Sequence, residues 1–263
     1  MTRSRVLLQA LPGAIGAMAL ASCVGGGGPP REAVRQIDRM LQVAPGEAQP
    51  SKIVAAEIAF ARAIGDRGMS TALRDSAAAG AIVHDKDGAR LLGDNDMPGA
   101  PASWRPRTVW ASCDGAMAVS EGRYEDARGQ IGDFATVWQR QRDGAYKWSY
   151  RTQALAIPQP PKRADEDLTG RNVVVVSALD SIRGIVADCP DAETDAIVTS
   201  APQIAIAAGE RQGRLNAADG TMRIVWTHSE TGARRVVADY FTEAGWERGI
   251  DRVFAVAPGD TRE

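Results

Sequence analysis

The chain has 263 residues, a formal net charge of −2, 44% hydrophobic residues and 24% charged residues. These values are typical of a globular body of one large or two small domains, and the lack of a basic block argues against a nucleic-acid partner. With two histidines and no C-x-x-C spacing, we expect no metal site of the usual His/Cys kind and no cofactor.

The N-terminus has the pattern of a secretory signal: two arginines, a short apolar stretch, and small residues before Cys23. The stretch Leu-Ala-Ser-Cys resembles the lipobox of bacterial lipoproteins. The resemblance implies a signal peptide over 1–22, acylation of Cys23 and anchoring in a lipid bilayer. Val24 stands where lipoproteins of the inner membrane often carry Asp, which favours the periplasmic face of the outer membrane over the inner membrane. The alternative is an ordinary signal peptide cut near Ala21.

Helical patterns follow this segment. Residues 23–50 are predicted to form a tether with a short amphipathic helix over 31–43. Ser51 is a plausible N-cap of a second helix that runs to about Asp66. A third, alanine-rich helix is predicted from Ser70 or Thr71 to about Ala79, and a short strand from Ala81 to His84.

After this segment the spacing of the apolar residues changes from that of helices to that of β-strands. After a predicted loop over 93–106, β-rich runs flank Asp114-Gly115 and Asp143-Gly144. Asp-Gly between such runs is a strong hairpin signal. Helices followed by an antiparallel sheet predict an α+β fold.

Three stretches carry a second resemblance: "AAEIAFARAIGDRGMSTALRDSAAAGAIV", "SWRPRTVWASCDGAMAVSEGRY" and "GDFATVWQRQRDGAYKW". Together they resemble a nuclear transport factor 2-like domain of the SnoaL-like or ketosteroid-isomerase-like kind. The resemblance implies a domain over 51–157 in which helices pack on a curved antiparallel sheet and leave a cone-shaped pocket. This fold serves many functions, so it does not by itself define one.

The remainder divides into two parts. Residues 158–170 are rich in proline and charge and are predicted to form a linker. Residues 171–258 are predicted to form a small, mainly β C-terminal domain; the alternative is an extension docked on the first domain. Its clearest part is a three-strand meander formed by "TMRIVWTH", "RRVVADYF" and "WERGIDRVFAV".

Three residues are weak catalytic candidates. His84 beside Asp85 could act as a base with its orienting group, although a turn histidine beside a solvated carboxylate is the simpler interpretation. Glu121 or Asp133 could act as a general base, as an Asp does in ketosteroid-isomerase-like enzymes, or could simply face solvent. Arg151 stands where many relatives carry an acid, which puts that chemistry in doubt.

The aromatic residues of the last hairpin suggest a ligand pocket or a docking face. With a two-residue turn, Val137, Trp148 and Tyr150 are predicted to share one face, and Phe134, Thr136 and Trp138 the other. One face would meet the helices, and the other would need a partner or be covered by the C-terminal domain. The alternative is that these aromatic residues are ordinary core. The set assigned to this pocket or docking face comprises Phe134, Trp138, Trp148, Tyr150 and Arg151.

Two cysteines remain once Cys23 is acylated. In an oxidising compartment Cys113 and Cys189 could form a disulfide; the alternative is two separately buried thiols. The favoured function is an envelope lipoprotein that binds a ligand or assembles with a second copy or another envelope protein, without catalysis. The alternatives are a small-molecule isomerase, dehydratase or cyclase, and a purely structural outer-membrane component.

Overall fold

A computed structural model describes residues 48–93, 101, 103–161, 182–190 and 201–256. Four predictions lie outside these residues: the signal peptide, the acylation of Cys23, the short helix over 31–43 and most of the linker. The two helices are α1 (Pro50–Arg67) and α2 (Met69–Ser76). The strands are β1 (Ala77–Asp85), β2 (Gly88–Leu91), β3 (Ser103–Ala111), β4 (Met117–Glu125), β5 (Ile131–Arg140), β6 (Tyr146–Leu155), β7 (Arg183–Val186), β8 (Arg211–Asn216), β9 (Met222–His228), β10 (Arg234–Thr242) and β11 (Gly245–Phe254).

Helix α1 is amphipathic and begins at a proline, which suits the first helical position. Its buried stripe contains Ile53, Phe60 and Ile64 at helical spacing, with Glu57 among them. Gly68 ends the helix at a φ of 81° and donates its N–H to the carbonyl of Ile64. This stripe packs α1 against one face of the sheet that follows.

The strands form two sheets. The larger has seven strands in the order β2-β1-β6-β5-β4-β3-β7, and the smaller has four in the order β11-β10-β9-β8. The pairs β1/β6 and β3/β7 are parallel, and the other pairs are antiparallel. The Asp114-Gly115 and Asp143-Gly144 turns lie between β3 and β4 and between β5 and β6, as the sequence predicts, and the C-terminal meander is confirmed as β9, β10 and β11.

The seven-stranded sheet is covered on both faces. On one face, helix residues such as Phe60 and Leu73 pack with Trp104, Trp138 and Trp148. On the other face, large side chains of the four-stranded sheet pack against those of the larger sheet; they include Met222, Ile224, Trp226, Val236 and Phe254. The described residues therefore form three layers: two helices, a seven-stranded sheet and a four-stranded sheet.

The predicted fold class, α+β with helices packed on a curved, cone-shaped antiparallel sheet plus a small, mainly β C-terminal domain, is wrong. The described residues are mostly β, with two helices and two sheets. One reason is that the alanine-rich segment 77–79 begins β1 and pairs with β6, so the predicted third helix ends at Ser76. The other is that β7 joins the larger sheet beside β3, while the later strands cover its second face.

Candidate functional site

Two buried polar clusters lie on opposite faces of the seven-stranded sheet. We call the one beneath the helices the Glu57 cluster; it contains Glu57, Trp104, Ser120, Trp138 and Arg151. We call the one between the two sheets the histidine cluster; it contains His84, Tyr150, Thr152, His228 and Arg234. Each places ionisable groups where water is largely excluded, so each is a candidate for chemistry.

Glu57 is completely buried, yet its carboxylate is well supplied with donors. Oε2 accepts a hydrogen bond from Trp104 Nε1 at 2.7 Å, and Oε1 accepts one from Trp138 Nε1 at 3.0 Å and one from the Ser120 hydroxyl. Three donors from three strands therefore hold the carboxylate in one orientation. Such an arrangement stabilises a buried anion.

Arg151 provides the cation of the same cluster. Its guanidinium carbon lies 4.4 Å from the ring centroid of Phe60 and 4.4 Å from that of Trp104, so the cation contacts two aromatic rings. Burial lowers the pKa of Arg151 to about 10, and the nearby Glu57 carboxylate opposes that shift. Arg151 is therefore charged at neutral pH, and its charge is balanced by Glu57 and the ring faces.

The histidine cluster joins the only two histidines of the chain. His84 Nδ1 lies 2.7 Å from the Tyr150 hydroxyl, and His84 Nε2 lies 3.1 Å from His228 Nδ1. His84 and Tyr150 are on adjacent strands of the larger sheet, whereas His228 is on β9 of the smaller one. The chain of hydrogen bonds therefore links the two sheets.

Burial disfavours the charged forms of this cluster. It lowers the pKa of His84 from 6.5 to about 3, and the charges of Arg234, His228 and Arg211 act in the same direction. The pKa of His228 is lowered by burial and then by Arg211 and Arg234. Burial also raises the pKa of Tyr150 well above its usual value. At neutral pH the three groups are uncharged, so they interact with one another through hydrogen bonds and not as ions.

These shifts predict acid destabilisation. In the unfolded chain His84 regains its ordinary pKa of 6.5, whereas in the folded chain its pKa is about 3. Between these values only the unfolded state binds the proton, so the free energy of unfolding falls as the pH drops. From pH 6.5 to 4.5 we expect this residue to account for a loss of about 2–3 kcal/mol. Urea denaturation at several pH values measures the slope.

The His84→Gln variant is the reference for that slope. Glutamine can donate and accept hydrogen bonds but does not titrate. The variant should therefore take up about one proton fewer on unfolding between pH 6 and 4.5. Equal slopes in the two proteins would show that His84 is not the titrating group.

The residues proposed as catalytic from the sequence do not converge on one site. His84 bonds to Tyr150 and not to Asp85, whose carboxylate accepts from Arg90 at 2.6 Å. Glu121 and Asp133 face the small sheet, where they form ion pairs with Arg252 of β11 at 3.4 Å and 2.9 Å. These two carboxylates link the sheets at a partly exposed position.

The predicted docking face is divided between the two sides of the sheet. Phe134, Trp138, Trp148 and Arg151 lie beneath the helices, whereas Tyr150 faces the four-stranded sheet. The prediction that Trp148 and Tyr150 share a face is wrong. A bulge shifts the register: Trp138 pairs with Trp148 but Val137 pairs with Tyr150, which leaves one extra residue between them.

Cys113 and Cys189 form a disulfide, with Cα atoms 5.1 Å apart. Cys189 follows β7, so the bond joins the ends of two neighbouring strands of the larger sheet, β3 and β7. The same corner touches the small sheet, because the backbone N–H of Asp188 donates to Phe241 of β10 at 3.0 Å.

Sequence reasoning missed Glu57, His228 and Arg234. A signal for Glu57 was present, because a carboxylate within an apolar helical stripe is expected to have buried partners. Within the described ranges, no group of three or more His, Cys, Asp or Glu side chains is arranged to hold a metal ion. No helix among them is long and apolar enough to cross a membrane.

Comparisons with known proteins do not show a family or an activity for this chain. No family model and no curated protein matches the chain. A solved structure, that of a putative ketosteroid isomerase from Shewanella frigidimarina NCIMB 400, is a weak neighbour with 15% sequence identity and a TM-score of 0.30. The match covers 37% of this chain and 90% of that chain. It is of the ketosteroid-isomerase-like kind that the sequence resembles, but it is too distant to carry an argument about activity.

Proposed function

We propose that this protein is a lipid-anchored component of the cell envelope whose folded body binds or assembles through its surface and does not catalyse a reaction. The proposal rests on one observation: the ionisable groups on both faces of the larger sheet are buried and contact other side chains. Glu57, His84 and Arg151 are at most 3% exposed, and their partners are other side chains of the same chain. A general acid or base must reach a substrate atom, whereas in the described part of the chain these three groups contact other side chains of the protein.

The proposed location at a membrane rests on the sequence and is supported by the disulfide. An acylated Cys23 would hold the protein on a bilayer, because each buried acyl CH₂ contributes about 0.8 kcal/mol and two or three chains bind almost permanently. The Cys113–Cys189 bond suits an oxidising compartment such as the bacterial periplasm. The periplasmic face of the outer membrane is the location that we favour.

The Cys23→Ala variant tests the anchor. Without the acylated thiol, the protein should move from the membrane fraction to the soluble periplasmic fraction. Fractionation after a high-salt wash, followed by immunoblotting, measures the distribution. A variant that stays with the membrane after the wash would contradict anchoring through Cys23.

The edge of the small sheet at β8 is the surface that we propose for assembly. Among the described residues no strand pairs with the outer side of β8, and edge strands can pair with an added strand. A groove of about 560 Å³ lies beside it, lined by apolar Ile204, Ile206 and Val225 and by polar Gln212 and Arg214. The lining of the groove includes the cation Arg214 and no acidic residue. The groove therefore suits an extended segment of another envelope protein that bears acidic side chains.

A photo-crosslinking residue at Gln212 tests this surface. Irradiation of intact cells should give an adduct with one envelope protein, and the adduct should disappear when Arg214 is replaced by Glu. Val253 is the matched control because it is 62% exposed but lies on β11, at the opposite edge of the same sheet. Adducts of equal yield at both positions, or none at Gln212, would contradict the proposal.

A further inference from the structure

Arg234 is a buried cation that forms no ion pair with a carboxylate of the described residues. It is 3% exposed, and its guanidinium donates to two backbone carbonyls, Nη1 to Gly232 at 3.3 Å and Nη2 to Gln153 at 3.1 Å. Its Nε–H is buried, and the described part of the chain offers it no hydrogen-bond partner. Among the described residues no carboxylate forms an ion pair with it. A buried charge without compensation is strongly unfavourable, so the site requires a further negative or accepting group.

Two more nitrogen-bearing side chains stand beside it. In the register of the small sheet, Arg234 of β10 and Arg211 of β8 are both directly opposite His228 of β9. The Arg211 guanidinium lies over Gly88 of β2, since a Cβ added there would be 3.4 Å from Nη2. A row of arginine, histidine and arginine thus crosses the small sheet.

The hydrogen-bond directions leave a donor free on this row. Tyr150 is completely buried, so its hydroxyl proton needs an acceptor, and His84 Nδ1 is the one within reach. His84 then carries its proton on Nε2 and donates to His228 Nδ1. His228 therefore carries its proton on Nε2, for which the described residues supply no acceptor.

Thr152 adds another unmet group on the same side of the sheet. It is 1% exposed, and its hydroxyl has no hydrogen-bond partner in the described part of the chain. It is opposite His84 in the β1/β6 register and adjoins Gln153, whose carbonyl accepts from Arg234. The nearest acids, Asp85 and Asp87, lie in the β1–β2 turn, where Arg90 and Lys86 pair with them.

We propose that the histidine cluster binds a small monovalent inorganic anion such as chloride between the two sheets. The Nε–H of Arg234, the hydroxyl of Thr152 and the Nε2–H of His228 would donate to it, and Arg211 would add a second positive charge. Every unmet group in the cluster can donate, and two arginines flank the histidines, so a metal cation would be repelled. The anion would supply the charge that the protein does not provide for Arg234.

Thermal unfolding of the purified full chain in detergent tests the site. Chloride replaces gluconate at pH 7.5 and constant ionic strength. The unfolding temperature should stay constant well below the dissociation constant of chloride and then rise with the logarithm of the chloride concentration, by about 3–6 °C when chloride reaches about ten times that constant. The Arg234→Gln variant should lose this rise. Thr152→Val, which keeps the side-chain shape, should move the onset of the rise to higher chloride and covers the case in which Arg234→Gln does not fold.

Arg107→Gln is the matched control, because Arg107 is an exposed arginine on β3, away from the histidine cluster. It should respond to chloride like the unmodified chain. The proposal is overturned if the unfolding temperature does not rise with chloride, or if the rise is the same in Thr152→Val as in Arg107→Gln. A bromide soak gives a direct readout: an anomalous peak beside Arg234 supports the site, and its absence there means that only water satisfies these donors.

Discussion

Replacing Glu57 by leucine is expected to lower the free energy of unfolding by about 3–5 kcal/mol, as is typical when one member of a buried charged pair is removed. Leucine keeps most of the volume in the apolar stripe of α1 but offers no acceptor. The indole N–H groups of Trp104 and Trp138 and the hydroxyl of Ser120 would lose their common partner. Arg151 would keep its charge beside two aromatic rings and the Gln153 side-chain carbonyl, with no Glu57 carboxylate near it.

Urea denaturation followed by tryptophan fluorescence measures this effect, since two of the indoles lie in the cluster. Asp66→Leu is the matched control, because Asp66 is an exposed carboxylate on the same helix; its change should stay within about 0.5 kcal/mol. Glu57→Gln keeps one acceptor oxygen but turns an N–H₂ group toward other donors, and it should lose about 1–3 kcal/mol.

A double variant separates the charge from the packing. Replacing Glu57 by leucine and Arg151 by methionine removes both charges, and buried pairs replaced by apolar residues are often no less stable. The double variant should therefore be more stable than Glu57→Leu alone, which is a strong departure from additivity. If the double variant is less stable by the sum of the two single losses, the cluster is not an electrostatic unit.

Local signals predicted the local elements. The two Asp-Gly turns place glycine at positive φ, 64° for Gly115 and 83° for Gly144, and both hairpins form there. The C-terminal meander is likewise visible because its strands alternate between short turns. These features depend on residues close together in the chain, so a sequence pattern is enough to find them.

The layer arrangement and the buried clusters depend on distant residues. Glu57 meets Trp138, 81 positions away, and His84 meets His228, 144 positions away. No periodicity reports such pairings. The bulge near Trp148 is likewise not predictable from the sequence pattern. Its one extra residue moves the Trp148 indole to the opposite face of the sheet, and strand alternation alone does not reveal this shift. The wrong docking face follows from this single shift.

The same distinction applies to the segment after α2. Residues 77–79 are alanines, which favour a helix on local propensity, but here they form the start of β1. Pairing with β6 and the packing of Ala77 against the core beneath the helices outweigh a preference of less than about 1 kcal/mol per residue. The error in fold class therefore arises where tertiary contacts override the local preference.

Reducing the Cys113–Cys189 disulfide is expected to lower the free energy of unfolding by about 4–5 kcal/mol in the chain-entropy model, in which longer closed loops give more stabilisation. The two cysteines are 76 positions apart, and the loop between them spans most of the larger sheet. The bond also fixes the corner where Asp188 binds the small sheet: its carboxylate accepts from the backbone N–H of Glu243 at 2.7 Å. Loss of the bond should therefore loosen both the β3–β7 edge and the contact between the sheets.

Urea denaturation with and without dithiothreitol measures the contribution. The Cys113→Ala/Cys189→Ala double variant should unfold at the same urea concentration under both conditions, near that of the reduced parent protein. Cys23→Ala is the matched control: it retains the bond and should respond to dithiothreitol like the parent. Because the loss would be comparable to a large share of the stability of a typical domain, the reduced protein should also be the preferred substrate in limited proteolysis. Identical urea midpoints for the oxidised and reduced parent would show that the bond does not stabilise the fold.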